Sequence, residues 1–305
     1  MTEKAEKREG YGDPVAVVIH GGAGRALQSG EREAAIREAL GEILAELYGR
    51  VLAGEGALEV ARRGCVLLED CEHFNAGRGS ALQGDGQVRM SASLMDGARG
   101  NFSGVINVEA VQNPIEMAAY LQGQKDRVLA GQGAERLARE LGLPVFNPVV
   151  RRRLEEWLRR SGEDQAAVSA EEESDRRSGT VGVVALDQRG HLAAGTSTGG
   201  RGFERVGRVS DSATVAGNYA TELAAVSCTG IGEDIQDEAL AVRIALGGEV
   251  ISLEESMARA MEKARAKERR LAAIALSSKG SIVLGKTTEV LLAVGKNAQG
   301  QTWAF

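Results

Sequence analysis

Between Thr180 and Asp234 the sequence gathers hydroxyls, glycines and charges into short blocks: "GTSTGG" at 195–200, "GRVSDS" at 207–212 and "SCTGIGED" at 227–234. A hydroxyl beside glycine-rich backbone is the raw material of nucleophilic catalysis, provided that a base stands near it. The histidines of the chain are His20, His73 and His191. None follows Ser197, the centre of a G-x-S-x-G match, whereas hydrolases built on that pattern run serine, acid, histidine along the chain. The elbow reading therefore fails on order. A hydroxyl without a histidine needs another base, and the α-amine of its own residue serves when that residue is N-terminal. The ordinary pKa of that amine, about 7.7–8.0, is close enough to neutrality for it to accept a proton.

This requirement points to Gly179-Thr180, where the charged run "EEESDRRS" (171–178) gives way to the buried-strand pattern "TVGVVAL". A cut at that bond leaves Thr180 with a free amine and a hydroxyl on one residue. Glycine at 179 has no side chain to obstruct the hydroxyl, and the β-branch of threonine restricts χ1. The dipeptide alone reads better as the plain start of a strand after a surface loop, since β-branched residues are common there.

Two further matches compete. "GSIVLGKT" (280–287) satisfies the phosphate-loop pattern, which would make the chain a nucleotide-binding protein, but that loop must join a strand to a helix and both flanks read as strand. The spacing predicts a hairpin. "GGAGRAL" (21–27) follows a strand as a dinucleotide loop does, with Leu27 where the third glycine belongs.

The 305 residues carry a net charge of −6, with 43% hydrophobic and 26% charged residues. No apolar run reaches the roughly 20 residues of a membrane span, and an acidic chain with few aromatics suits neither phosphate backbones nor base stacking. Membrane and nucleic acid are set aside as partners. Cys65, Cys71 and Cys228 form no C-x-x-C pair and no even set, which argues against disulfides and zinc. The polar start, Met1–Asp13, lacks an apolar signal core, so the cytoplasm is the expected compartment.

Periodicity sets the elements that must hold these residues. Strands are expected over Val15–His20, Gln87–Met95, Asn101–Val111, Thr180–Asp187, His191–Ser197 and Ala225–Thr229, with a closing meander at Leu271–Ser277, Ser281–Leu284 and Glu289–Val294. Helices are expected over Ser29–Leu52, Gly56–Glu72, "NPIEMAAYL", "GAERLARELG", Gly232–Leu246 and Leu253–Lys267. His20–Gly24 reads as a loop. The segment at about 160–179 is too polar to bury enough surface and reads as a mobile linker, with a second β-rich unit beyond it.

In their order, "IHGGAG", "LEDCEHFNAGRGS", "SASLMDG", "GTVGVVALD", "AAGTSTGG", "GRVSDS" and "SCTGIGED" resemble the plant-type (type III) L-asparaginases, or isoaspartyl aminopeptidases, of the N-terminal nucleophile (Ntn) hydrolase superfamily. The resemblance implies an α+β fold, a four-layer αββα sandwich over a single domain, 1–305. It implies self-cleavage at Gly179-Thr180 into an α chain (1–179) and a β chain (180–305), and a homodimer of these units, (αβ)2. By motif, Thr180 becomes the nucleophile, Thr198 its activating partner, and Thr229 with Gly230 the oxyanion hole. Arg208 and Asp211 become the grips for the substrate's α-carboxylate and α-amine, with the Gly232 carbonyl also receiving the amine, and Asn75 the α-chain residue beside the nucleophile.

Hydrolysis of L-asparagine and β-aspartyl dipeptides would follow, with a glycosylasparaginase as the alternative inside the superfamily. No cofactor is needed. Some members hold a structural sodium ion on main-chain carbonyls, here those of Leu68, Glu69, Cys71, Phe74, Ala76 and Arg78. The sequence departs from the family at Ser91, where aspartate is frequent, and in "LAAIALSSKG" and "GKTTEVLLAV" near the C-terminus; these changes are expected at the pocket rim.

Overall fold

Strand β1 (Ala16–Gly24) alternates two sets of buried side chains: Val17 and Ile19 pack toward helices, Ala16 and Val18 toward a second sheet. Burial on both faces explains its unbroken apolar run, and the same division recurs in the strand that begins just after Thr180. The computed structural model describes residues 14–25, 30–162 and 179–304. Most of the expected linker lies outside the described residues.

From the N-terminus the further elements are α1 (Gly30–Leu52), α2 (Ala57–Asp70), β2 (Met90–Asp96), β3 (Asn101–Val108), α3 (Pro114–Leu121), β4 (Val128–Ala130), α4 (Gln132–Glu140) and α5 (Arg151–Ser161). Beyond Thr180 follow β5 (Val181–Leu186), β6 (Leu192–Thr198), β7 (Asn218–Ala220), β8 (Ala224–Gly230), α6 (Gly232–Glu238), α7 (Leu240–Gly247), α8 (Leu253–Ala266), β9 (Leu271–Ser277), β10 (Ile282–Lys286), β11 (Val290–Asn297) and β12 (Gly300–Ala304).

The strands form an eight-stranded sheet, in the order β12-β11-β1-β5-β6-β2-β3-β4, and a four-stranded sheet, β10-β9-β8-β7. Helices α1, α2 and α3 cover the outer face of the large sheet, and α7 and α8 cover the small one. Three apolar clusters fill the three interfaces of this αββα sandwich. Ile36, Leu40, Leu44, Leu47 and Val51 of α1 meet Val17, Ile19, Val181 and Val183 in the first. Val18, Val184, Leu186 and Ile274 join the sheets, and Ile244, Met257 and Met261 lie against Val226 and Ala273 in the third. The α1 positions recur at three and four residues, the stripe that a helix lays on a sheet.

Several boundaries move. The glycine cluster His20–Gly24 is not a loop: β1 continues through it, with a bulge between His20 and Ala23. The expected helix Gly232–Leu246 breaks in two at Ala239, whose φ is +46°. Helix α5 runs through Ser161, past the expected start of the linker. The residues beyond Thr180 form no second unit, because β5 and β6 pair next to β1 and β2 inside the large sheet. Nor is the C-terminal end one meander, since β9 and β10 pair in the small sheet and β11 and β12 in the large one.

The phosphate-loop match resolves as the expected hairpin. Gly280, with φ +81°, makes the turn into β10, and Lys286 donates from Nζ to the Glu289 carbonyl at 2.6 Å. A strand, β11, follows where a nucleotide site requires a helix. Residues 21–24 of "GGAGRAL" likewise lie in strand β1 rather than in a loop, which removes the dinucleotide reading.

Candidate active site

The antiparallel hairpin β5–β6 places Val181 opposite Ser197, so Thr180 and Thr198 meet at its open end. Both are buried, and the Thr180 hydroxyl donates to Thr198 Oγ1 at 3.1 Å. Thr198 Oγ1 also accepts the Gly200 N–H at 3.1 Å, which fixes its direction. Ser197 points to the opposite face, as the two-residue period requires. Its hydroxyl donates to Glu69 Oε1 at 2.6 Å beneath α2, far from any nucleophile's role. Burial pushes the Glu69 carboxyl up to about 8, with the Ser197 hydroxyl and the Ile115 N–H opposing that rise.

Asn75 stands against the junction. Its backbone N–H donates to the Gly179 carbonyl at 3.2 Å, while its carbonyl accepts the Gly199 N–H at 2.8 Å. Its side-chain amide is spent on the loops, donating to the Gly200 carbonyl at 2.6 Å and accepting the Ala81 N–H at 2.7 Å. A Cβ on residue 179 would lie 2.5 Å from Asn75 Cβ, so only glycine fits there. Helix α5 braces this region: Arg153 donates to the Gly79 carbonyl at 2.7 Å, Trp157 Nε1 to the Gln83 carbonyl at 2.9 Å, and the Arg160 guanidinium lies 3.6 Å from the Phe203 ring centre.

The expected substrate grips converge on Gly232, the first residue of α6. A Cβ at 232 would stand 2.5 Å from Arg208 Nη2 and 2.8 Å from Asp211 Oδ1. Asp211 is buried, and its Oδ2 has no hydrogen-bond partner among the described residues. Burial pushes its carboxyl up to about 7 against the pull of Arg208. Such a group awaits a cation or a proton, because an unpaired buried carboxylate is costly.

Sequence reasoning missed three residues here. Glu233, inside the quoted "SCTGIGED", takes both arms of Arg208, at 2.7 Å from Nε and 3.0 Å from Nη2. Burial alone would lower the Arg208 pKa, but this pairing holds it above its ordinary value. Asn107, at φ +53°, donates from its side chain to the Arg208 carbonyl at 3.0 Å, and its own N–H reaches Ser91 Oγ at 3.1 Å. Ser91 is therefore not at a rim: it is buried and paired in register with Thr198. His20 is the third, buried with its Nε2 2.9 Å from Ser227 Oγ.

Thr229 and Gly230 end β8 in the small sheet, both buried, with Gly230 at φ +137°, where a Cβ would stand 2.6 Å from Leu271 Cα. Across the sheet interface, β8 packs against β5, which begins directly after Thr180, and β6, which ends at Thr198. The loop from Leu68 to Arg78 offers carbonyl oxygens, the donor type that a hard cation takes. The Glu69 carbonyl accepts the Arg78 N–H at 2.7 Å and that of Cys71 the Phe74 N–H at 3.3 Å, while the Phe74 carbonyl lies 2.8 Å from where a Cβ on Gly79 would stand. Among the described residues no cluster of His, Cys, Asp and Glu could hold a metal, and the three cysteines are free. No described helix is long and apolar enough to cross a membrane.

Comparison with known proteins gives this geometry its context. A family model described as asparaginase matches residues 13–304. An isoaspartyl peptidase/L-asparaginase of Nostoc sp. is 52% identical over 91% of this chain and 90% of its own length. One of the same name from Synechocystis sp. is 51% identical over 91% of this chain and 86% of its own. A plant-type L-asparaginase of Pyrococcus horikoshii is 36% identical over 76% and 77% respectively.

Proposed function

The chain belongs to the asparaginase family, and on that premise we propose that it works as a self-processing isoaspartyl peptidase/L-asparaginase with Thr180 as its nucleophile. The observation that carries the reading is the convergence on Gly232 of Arg208 and the buried carboxyl of Asp211, whose Oδ1 faces Gly232 while its Oδ2 has no hydrogen-bond partner among the described residues. A cation beside a waiting anion is the complement of an α-amino acid's carboxylate and ammonium, and each charge-assisted bond contributes about 1.5–3 kcal/mol.

In the uncut chain, Thr180 Oγ1 attacks the Gly179 carbonyl carbon while the Asn75 N–H steadies the developing oxyanion. The hydroxyl proton passes to the departing Thr180 nitrogen, leaving an ester that water cleaves to a Gly179 carboxylate and a free Thr180 amine. In the mature enzyme that amine takes the Oγ1 proton and Oγ1 attacks the substrate's β-carbonyl, with Thr198 orienting the hydroxyl. Charge on the β-carbonyl oxygen falls to Thr229 and Gly230, preset donors of the kind that supply the largest catalytic term in acyl transfer. The proton then goes to the leaving ammonia or peptide amine, and water releases aspartate from the β-aspartyl ester.

A sodium ion on the carbonyls of Leu68, Glu69, Cys71, Phe74, Ala76 and Arg78 would act only by stiffening the loop that presents Asn75. The same reading takes the enzyme as cytoplasmic and as a dimer of αβ units. Intact-mass measurement of the purified protein, together with assays on asparagine and β-aspartyl dipeptides, tests the proposal. Fragments 1–179 and 180–305 with either activity support it, and an uncut, inactive wild type overturns it.

A further inference from the structure

One buried polar row lies outside the chemistry above. His20 on β1 and Thr196 on β6 both pair in register with Gly182 of β5, from its two sides. Ser227, on β8 of the small sheet, reaches both across the interface: its Oγ is 2.9 Å from His20 Nε2 and 2.7 Å from Thr196 Oγ1. All three side chains are fully buried. A side chain at Gly182 would collide with Ser227 Oγ and His20 Nε2, so glycine is required for the row to close.

The placement follows from the period of a strand, in which residues two apart share a face. Gly182 is two residues from Thr180, Thr196 two from Thr198, and Ser227 two from Thr229. The row is thus the layer directly beneath the proposed nucleophile, its hydroxyl partner and the oxyanion donor. It also ties the sheet that carries the first two to the sheet that carries the third. Burial lowers the His20 ring to about 3, against an opposing effect of the Thr180 main chain, so the imidazole is neutral and has both a donor and an acceptor to offer. Its Nδ1 has no hydrogen-bond partner among the described residues.

We infer that His20, Ser227 and Thr196 are positioning residues, whose hydrogen-bonded row sets the height of Thr229 and Gly230 against the Thr180 hydroxyl. The inference rests on the proposed roles of those three site residues. It separates the two reactions of Thr180. Self-cleavage draws on Thr198 and the Asn75 N–H, which the large sheet and its adjoining loops carry, whereas substrate hydrolysis draws also on the small sheet. Loosening the row should spare the first and harm the second.

The test measures self-cleavage by intact mass, together with kcat, KM and thermal midpoint, for Ser227→Ala, Thr196→Val and Thr196→Ser. Ser227→Ala and Thr196→Val are expected to cut themselves at near the wild-type rate but to lose about 10- to 100-fold in kcat with KM little changed, as a slight displacement of transition-state donors produces. Thr196→Ser, which restores the hydroxyl, should recover kcat. An unchanged kcat in the folded variants overturns the proposal, as does a parallel fall of self-cleavage and kcat that follows thermal midpoint. If Ser227→Ala does not fold, Thr196→Val decides; if neither folds, the row is merely core and the proposal falls. Thr180→Ala separates this from the reading beneath it: hydrolysis that survives there refutes Thr180 as nucleophile, whatever the row variants do.

Discussion

Gly232→Ala puts one methyl group where three proposed substrate contacts meet. The new carbon would stand 2.5 Å from Arg208 Nη2 and 2.8 Å from Asp211 Oδ1, roughly 1 Å inside ordinary contact distance. Backbone strain is not at issue, because Gly232 opens α6 and its φ is not positive, and alanine suits a helix better than glycine. The arginine tip is the flexible partner, but moving it breaks a two-armed pairing with Glu233, and Asp211 is buried and has little room. Loss of one charge-assisted grip at about 1.5–3 kcal/mol corresponds to roughly 10- to 150-fold in kcat/KM for asparagine. Self-cleavage, which uses neither residue, should proceed as in the wild type. Steady-state kinetics on the processed variant, with intact mass as the control, makes the measurement. A kcat/KM within about twofold of wild type, too small for a lost charge-assisted bond, would refute the placement of the substrate's charges at Gly232.

Thr180→Ala should remain one chain and be inactive, which gel electrophoresis and an asparaginase assay will read directly. Gly179→Ala forces a methyl onto Asn75 Cβ and should slow self-cleavage by at least about tenfold, given the sensitivity of attack geometry to small displacements, as a time course of intact mass would reveal. Because the substrate ammonium needs Asp211 ionised, kcat/KM should fall as pH drops below about 7, whereas kcat at saturation should fall less, since a bound ammonium favours the carboxylate. The same raised carboxyl sets the sign of stability: the free protein binds this proton more tightly than the unfolded chain does, so Asp211 makes it less stable as pH rises from about 4 to 7. Thermal melts of the processed enzyme should show that slope diminished in Asp211→Asn. Lys286→Ala, at the end of β10, should leave activity unchanged in the same kinetic assay.

Much of the frame was legible because burial leaves a periodic trace. The runs that became β5 and most of β9 are apolar since each lies between two layers, and α1 and α8 show the three-and-four spacing of a covered helix. The misread pieces lacked such a trace. Helix α5 buries little apolar surface and docks through Arg153 and Trp157, so periodicity predicts no helix there and the expected linker begins at its last turn. The His20–Gly24 glycines suggested a loop because their strand bulges, and Ala239 breaks a helix with no glycine or proline to announce it.

By itself the sequence determined that no histidine follows the candidate serines, that a hydroxyl begins a strand directly after a glycine, and that the motifs around Thr180, Arg208 and Thr229 occur in one family's order. Only the tertiary structure decided which partners those residues meet. Glu233 on the arms of Arg208, the Asn75 N–H on the Gly179 carbonyl, and Ser227 between His20 and Thr196 join positions 25, 104, 207 and 31 residues apart. The physical reason is that a two-residue period tells which face of a strand a side chain occupies, but not which strand of the other sheet lies opposite. That choice is made when two buried faces pack.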